Sequence, residues 1–381
     1  MISRLLILLM AFASFHSFGQ EDAFYQEKLE DLGRALFFDV SLSRDKTQGC
    51  ATCHDPAQAF IDWRDNGVRK AVSMGGDFTS LGDRNTPSAS YAAQTPEFHL
   101  NNEGDYVGGM FWDGREPDLE AQAGGPFLNP LEMQMPDKAS VVERLQEHTL
   151  FPYAFTSLFG DDVFEDVDIA YLRMTEAIAA FERTEFFSPF DSKYDRYLKG
   201  EYEPTDEEEL GITLFFSEQF TNCNQCHQLQ TFAESEGETF TSYKYFNIGI
   251  PVNAEVRQLN GLGEDHIDYG LLENPLVDDP AQAGKFKTST LRNVALTAPY
   301  MHNGVFHDLK TVVQFYNKYN VRGPAADTNP ETGKPWGEPE VAENLALEEL
   351  ESGDALDDRR INAMVAFMKM LTDRRYEHLV D

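Results

Sequence analysis

All four cysteines of this chain fall in two Cys-x-x-Cys-His strings, Cys50-Ala51-Thr52-Cys53-His54 and Cys223-Asn224-Gln225-Cys226-His227. Residues three apart on a helix share a face, so each pair can bond the two vinyl groups of a haem while the next imidazole is aimed at its iron. The chain is therefore expected to fold around two covalent haems c. Zinc is the rival use of paired Cys-x-x-Cys strings. The halves of a zinc ribbon usually stand about 15 to 20 residues apart, whereas His54 and His227 are 173 positions apart. Zinc also has no need of a histidine directly after each second cysteine, which haem ligation requires.

Residues Met1 to Gly19 carry one basic residue, Arg4, then an apolar run from Leu5 to Phe15, and end in Ser17-Phe18-Gly19 before Gln20. This is the pattern of a signal peptide cleaved near Gly19-Gln20, and it predicts a periplasmic or secreted protein. The run is shorter than the roughly 20 residues a membrane span needs, so no membrane insertion is expected. Loss of the leader removes only Arg4 among charged residues and takes the formal charge from −34 to −35. Nucleic acid and anionic membranes are then poor partners. The excess acid can steer a basic electron-donor protein, or simply keep the protein soluble.

Helical spacing dominates the chain. Ser140-Val141-Val142-Glu143 and Thr205-Asp206-Glu207-Glu208 read as capping boxes. Apolar stripes are expected at Ile169, Leu172, Ile178 and Phe181, at Leu309, Val312, Val313 and Tyr316, and at Ile361, Met364, Val365, Met368 and Leu371. Two connections rich in Gly, Pro and acid, about 253–284 and 322–340, read as surface loops. The polar, irregular stretch between Phe186 and Pro204 marks a boundary, giving domains over 20–190 and 191–381, with the last helix able to pack back on the first. The expected class is all-α, with two cytochrome c-like domains face to face.

At this point the chain resembles the bacterial di-haem cytochrome c peroxidases and the related MauG enzymes. The carriers are Leu36-Phe37-Phe38-Asp39, both haem strings, Arg84-Asn85-Thr86-Pro87, Phe111-Trp112-Asp113-Gly114-Arg115, Leu119-Glu120-Ala121-Gln122, Asn129-Pro130-Leu131-Glu132-Met133 and the stretch from Lys287 to Gly304. The resemblance implies that His54 and His227 are the proximal ligands of a peroxidatic and an electron-transfer haem. It sets Trp112 between the haems, and Glu132 and Gln122 on the open face of the first. A carboxylate there can take a proton from peroxide and return it to the leaving oxygen, while a glutamine holds peroxide or water by hydrogen bonds. By the same resemblance, Asn85, Thr297 and Pro299 match an inter-domain calcium site, and Arg292 and His302 sit near haem propionates.

The chain departs from the classical members twice. No histidine lies between Asp55 and Phe98 to cap the first iron, so that haem is expected to be open, with His99 the nearby alternative. Where classical members have a methionine ligand to the second iron, this chain has Tyr316, as MauG enzymes do. An anionic oxygen ligand lowers a haem potential where methionine raises it. His148, His266, His307 and His378 have no assigned partner and read as surface residues. The leading expectation is a periplasmic di-haem peroxidase that reduces hydrogen peroxide to water at the His54 haem, fed through the His227 haem by a small cytochrome c or cupredoxin. Two alternatives stand beside it: a MauG-like oxidase that uses peroxide-derived high-valent iron to oxidise a partner protein or organic molecule, and a non-catalytic electron carrier. Members of the family often pair, so a homodimer is in keeping with it.

Overall fold

The computed structural model describes residues 22–380 except 218, 230–236, 264, 324 and 325. The expected signal peptide lies outside them. The fold is all-α, and its described strands are three two-residue antiparallel pairs, His99–Leu100 with Tyr106–Val107, Tyr245–Phe246 with Phe286–Lys287, and Thr328–Asn329 with Lys334–Pro335.

Two large apolar cores form, with three smaller clusters beside them among the described residues. One joins the 22–38 helix to the helices Leu119–Leu128, Lys138–Glu147, Phe151–Phe159 and Val167–Glu182 and ends at Phe187. The other begins at Tyr194 and joins the helices Asp206–Phe215, Leu309–Asn317 and Asp358–Met370. Each core is built on a close helix crossing in which a glycine before the haem string meets an alanine after it. A Cβ on Gly33 would stand 1.8 Å from the Ala177 carbonyl oxygen, and one on Gly211 would stand 2.1 Å from that of Ala363. Only glycine lets those backbones touch.

Several expectations hold. Thr205 and Glu208 make a reciprocal capping box, and Ile361, Met364, Met368 and Leu371 are buried. Other elements differ. The helix expected to start at Ser140 starts at Lys138, because Asp137 accepts from the Ser140 backbone N–H. In the Val167–Glu182 helix, Ile169 and Leu172 are exposed, and the inward face is Ala170, Met174, Ala177, Ile178 and Phe181. Alanines on that face permit the close crossing. The 253–284 stretch is not a plain surface loop. It holds a helix, Ala254–Leu259, and buries Arg257, Asp268, Leu271 and Asn274, because their side chains find partners in both halves.

Beyond the helix Asp358–Met370, which packs on Asp206–Phe215, the chain returns to the first half. Asp373 accepts from the Tyr91 hydroxyl at 2.5 Å, and the Tyr376 hydroxyl donates to the Pro56 carbonyl at 2.6 Å.

Candidate active site

Each haem string is one helical turn, Cys50–Cys53 or Cys223–Cys226, with its histidine at the turn's end. Each turn lines its own cavity. His54 Nδ1 lies 3.2 Å from the Phe60 carbonyl oxygen and His227 Nδ1 lies 3.0 Å from that of Phe240. A carbonyl accepts only from a protonated Nδ1, so Nε2 keeps its lone pair for iron. Burial lowers the pKa of both rings, that of His227 to about 4, so both are neutral donors. No disulfide forms among the four thiols. This donor set fits two covalently bound haems.

In the first cavity, Gln122 faces inward from the Leu119–Leu128 helix beside Ala123 and Pro126, and Glu132 enters from the turn that follows. Glu132 Oε1 accepts from the Asn129 amide at 3.0 Å. Burial raises its acid to about 7, with Arg115 pulling down and Asp83 pushing up. A carboxyl poised near neutrality can both take and give a proton. His99 is exposed on its hairpin, with Nδ1 2.8 Å from the Glu97 carbonyl. It does not line this cavity, where His54 is the only histidine among the described lining residues.

In the second cavity, Tyr316 projects from the Leu309–Asn317 helix together with Leu309, Val312 and Val313. Burial holds its proton well above the ordinary tyrosine range. His302 also lines this cavity, stacked on Phe286 with ring centres 3.6 Å apart. Its Nε2 is buried without a partner, as are Arg257 Nη1 and Glu340 Oε2. Arg257 donates to Glu340 at 2.9 Å, both side chains being 5% exposed. Unpartnered buried polar atoms are costly, and haem carboxylates would accept from His302 Nε2–H and Arg257 Nη1, whereas the Glu340 oxygen is itself an acceptor.

Arg292 departs from its expected place. Its guanidinium is fully buried and bidentate to Asp195 at 2.6 and 2.8 Å, among Tyr91, Phe190 and Phe240. Every guanidinium nitrogen of Arg292 is already partnered. Arg257, although paired with Glu340, keeps Nη1 unpartnered and acts on the cavity-lining His302, which makes it the better candidate; it escaped notice because its stretch read as loop.

Trp112, Lys287, Thr288 and Ser289 line both cavities and form the wall between them. The Trp112 indole N–H donates to the Asn85 carbonyl at 2.8 Å, and its own carbonyl accepts from the Lys287 backbone N–H at 2.9 Å. The Lys287 ammonium donates to the Gly109 carbonyl. Burial lowers its pKa to about 8, against the pull of Asp113. Behind the wall Arg84 is bidentate to Asp268 at 2.7 Å and reaches Asp113 at 2.6 Å and Glu273 at 2.8 Å. The two family strings that contain Arg84 and Trp112 thus build one inter-cavity clamp.

The Asn85 backbone N–H donates to the His302 carbonyl at 2.6 Å, just beyond the Thr297–Pro299 turn, and the Thr297 hydroxyl donates to Val294. Among the described residues no group of three or more His, Cys, Asp or Glu side chains could hold a metal ion. Of the histidines read as surface residues, His148 lies 3.3 Å from Asp39 and stacks on Phe151. His307 is half-buried with its pKa lowered by burial, and His378 is exposed.

Residues 27–203 match the di-haem cytochrome c peroxidase family. The methylamine utilization protein MauG of Paracoccus denitrificans is 54% identical over 93% of this chain and 91% of its own. The cytochrome c551 peroxidase of Pseudomonas aeruginosa is 29% identical over 75% of this chain and 71% of its own. The crystal structure of the diheme peroxidase BthA from Burkholderia thailandensis superposes with a TM-score of 0.80 at 29% identity, covering 93% of this chain and 88% of that one. The chain therefore belongs to the di-haem cytochrome c peroxidase and MauG family, oxidoreductases that carry two c-type haems.

Proposed function

We propose that this protein is a MauG-like di-haem oxidase that consumes hydrogen peroxide in the first cavity and withdraws electrons from a partner protein or organic molecule through the second. The observation that carries this reading is Tyr316, whose side chain lines the cavity of the second haem string with no hydrogen bond to its hydroxyl among the described residues. An oxygen ligand disfavours a high-potential electron reservoir and favours withdrawal of electrons from a substrate. The 54% identity to a MauG protein supports the same choice.

The haems, when bound, supply the redox chemistry. Glu132 takes a proton from peroxide and returns it to the departing oxygen, while Gln122 orients peroxide by hydrogen bonds. His302 and Arg257 hold carboxylates at the second cavity. Trp112 stands in the wall that the two sites share, with Lys287 beside it. A periplasmic location, two domains meeting near residue 190 and a calcium ion at Asn85, Thr297 and Pro299 belong to this reading. The first core's end at Phe187 and the second's start at Tyr194 support the boundary. The Asn85–His302 hydrogen bond ties Asn85 to the segment that follows Thr297 and Pro299.

Addition of stoichiometric peroxide to the ferric protein tests the reading. Both haem spectra should change, and the change should decay faster when an oxidisable partner is added than with reduced cytochrome c or a copper protein. Rapid turnover with those small donors would replace the oxidase by a peroxidase, and no spectral change would leave only an electron carrier.

A further inference from the structure

One buried acid in the first cavity has no part in the chemistry above. Glu182 ends the Val167–Glu182 helix, which packs on the Leu119–Leu128 helix. Ile178 and Glu182 from one helix, and Leu119, Gln122, Ala123 and Pro126 from the other, line the cavity together. Glu182 is 5% exposed and its Oε2 has no partner.

This is a costly arrangement for a residue that only packs. A buried carboxyl without a hydrogen bond is unfavourable, and the negative end of a helix opposes its ionised form. Burial accordingly raises its acid to about 8. Among the described residues no ion pair compensates. The adjacent Arg183 is bidentate to Glu120 across the helix pair at 2.6 and 2.7 Å, at the solvent rim. The charged groups acting on Glu182 are Arg183, which favours ionisation, and Glu120, which opposes it. From inside the cavity, Glu182 and Glu132 both act on Cys50.

Proton balance assigns it a task, on the reading that peroxide is the oxidant. Conversion of H2O2 to two waters breaks one O–O bond, forms two O–H bonds, and takes up two electrons and two protons. Glu132 moves a proton from one peroxide oxygen to the other and so contributes none. Electrons withdrawn from the partner arrive by long-range transfer, and the partner's own protons are released at its surface. Both protons must therefore enter the first cavity from solvent. We propose that Glu182 is the proton carrier of the first cavity, passing protons from the solvent rim at Arg183 and Glu120 to the peroxide-derived oxygen that stays behind when the first water departs.

The test uses the holoprotein with Glu182→Gln and Glu182→Asp, comparing the first reaction with stoichiometric peroxide to steady-state turnover with a chemical reductant across the pH range. Wild-type turnover should fall above about pH 8, where the carrier ionises. Glu182→Gln should slow turnover by up to about a hundredfold, the lower end of what a positioned acid contributes. It should also flatten the alkaline fall while leaving the first peroxide reaction intact. Glu182→Asp should restore part of the rate with a displaced alkaline limb, which a purely structural role would not produce. Wild-type turnover and an unmoved alkaline limb in both variants would overturn the assignment. Failure of the wild type to react with peroxide would instead overturn the oxidase reading itself.

Discussion

Glu132→Gln separates chemistry from stability because it keeps the volume and the Asn129 hydrogen bond while removing the titrating oxygen. Burial raises the acid from 4.5 to about 7, a cost of about 3 kcal/mol for the ionised form. The folded-state pKa lies above the unfolded one, so ionisation burdens the folded protein. The stability of the neutral acid is present below about pH 4.5, declines up to about pH 7, and stays lost above it. Glutamine should recover up to about 3 kcal/mol at pH 8 and nothing at pH 4. Function moves the other way. The ionised fraction should make the wild-type peroxide reaction rise about tenfold per pH unit below 7 and level off above it, whereas the variant should be pH-independent and slower by about 10²–10⁴. Stopped-flow spectra from pH 5.5 to 8.5, with denaturant melts at pH 4 and 8, read both effects. A variant that kept the wild-type rate and pH profile would refute the acid–base role. Equal melts at pH 8 would refute burial as the cause of the raised pKa.

Tyr316→Phe should change the oxidised spectrum of the second haem and raise its midpoint potential, and an unchanged potential would remove the tyrosine as a ligand. Arg292→Gln should leave Asp195 buried and unpaired and cost about 3–5 kcal/mol in denaturation without moving the second haem's potential. Arg257→Gln should lower that potential by removing a cation from the haem carboxylates. The opposite pattern in these two variants would return the propionate role to Arg292. Gly211→Ala places a Cβ 2.1 Å from the Ala363 carbonyl, forcing the helix pair apart. It should destabilise the second core by about 1–3 kcal/mol, and a melt indistinguishable from wild type would contradict that close crossing.

Haem attachment was legible because it is local: five consecutive residues hold both thiols and the ligand. The Thr205 cap was legible for the same reason, and the side of the Leu309–Asn317 helix that lines the second cavity followed from its period, although its most buried residues, Thr311 and Phe315, did not. Tyr316 came from the family resemblance, by counting along that helix from His302 to the position of the classical methionine. What escaped depends on partners far away in the chain. Arg292 reads as a free cation until Asp195 is seen to neutralise it. Arg257, Asp268 and Glu273 look like loop residues until Arg84 and Glu340 close around them. His99 looked close to the first haem by sequence, but its hairpin turns the ring to solvent. Glu182 reads as the polar end of a helix until two crossing helices bury it in a cavity. By itself the sequence determined where the two haems attach and, for some helices only, which face turns inward, because covalent motifs and helical periods are properties of neighbouring residues. Only the tertiary structure decided which charges pair and which stand alone. Burial and Coulomb partners come from segments far apart in the chain, and they make one carboxyl an acid poised near neutrality and another a simple counter-ion.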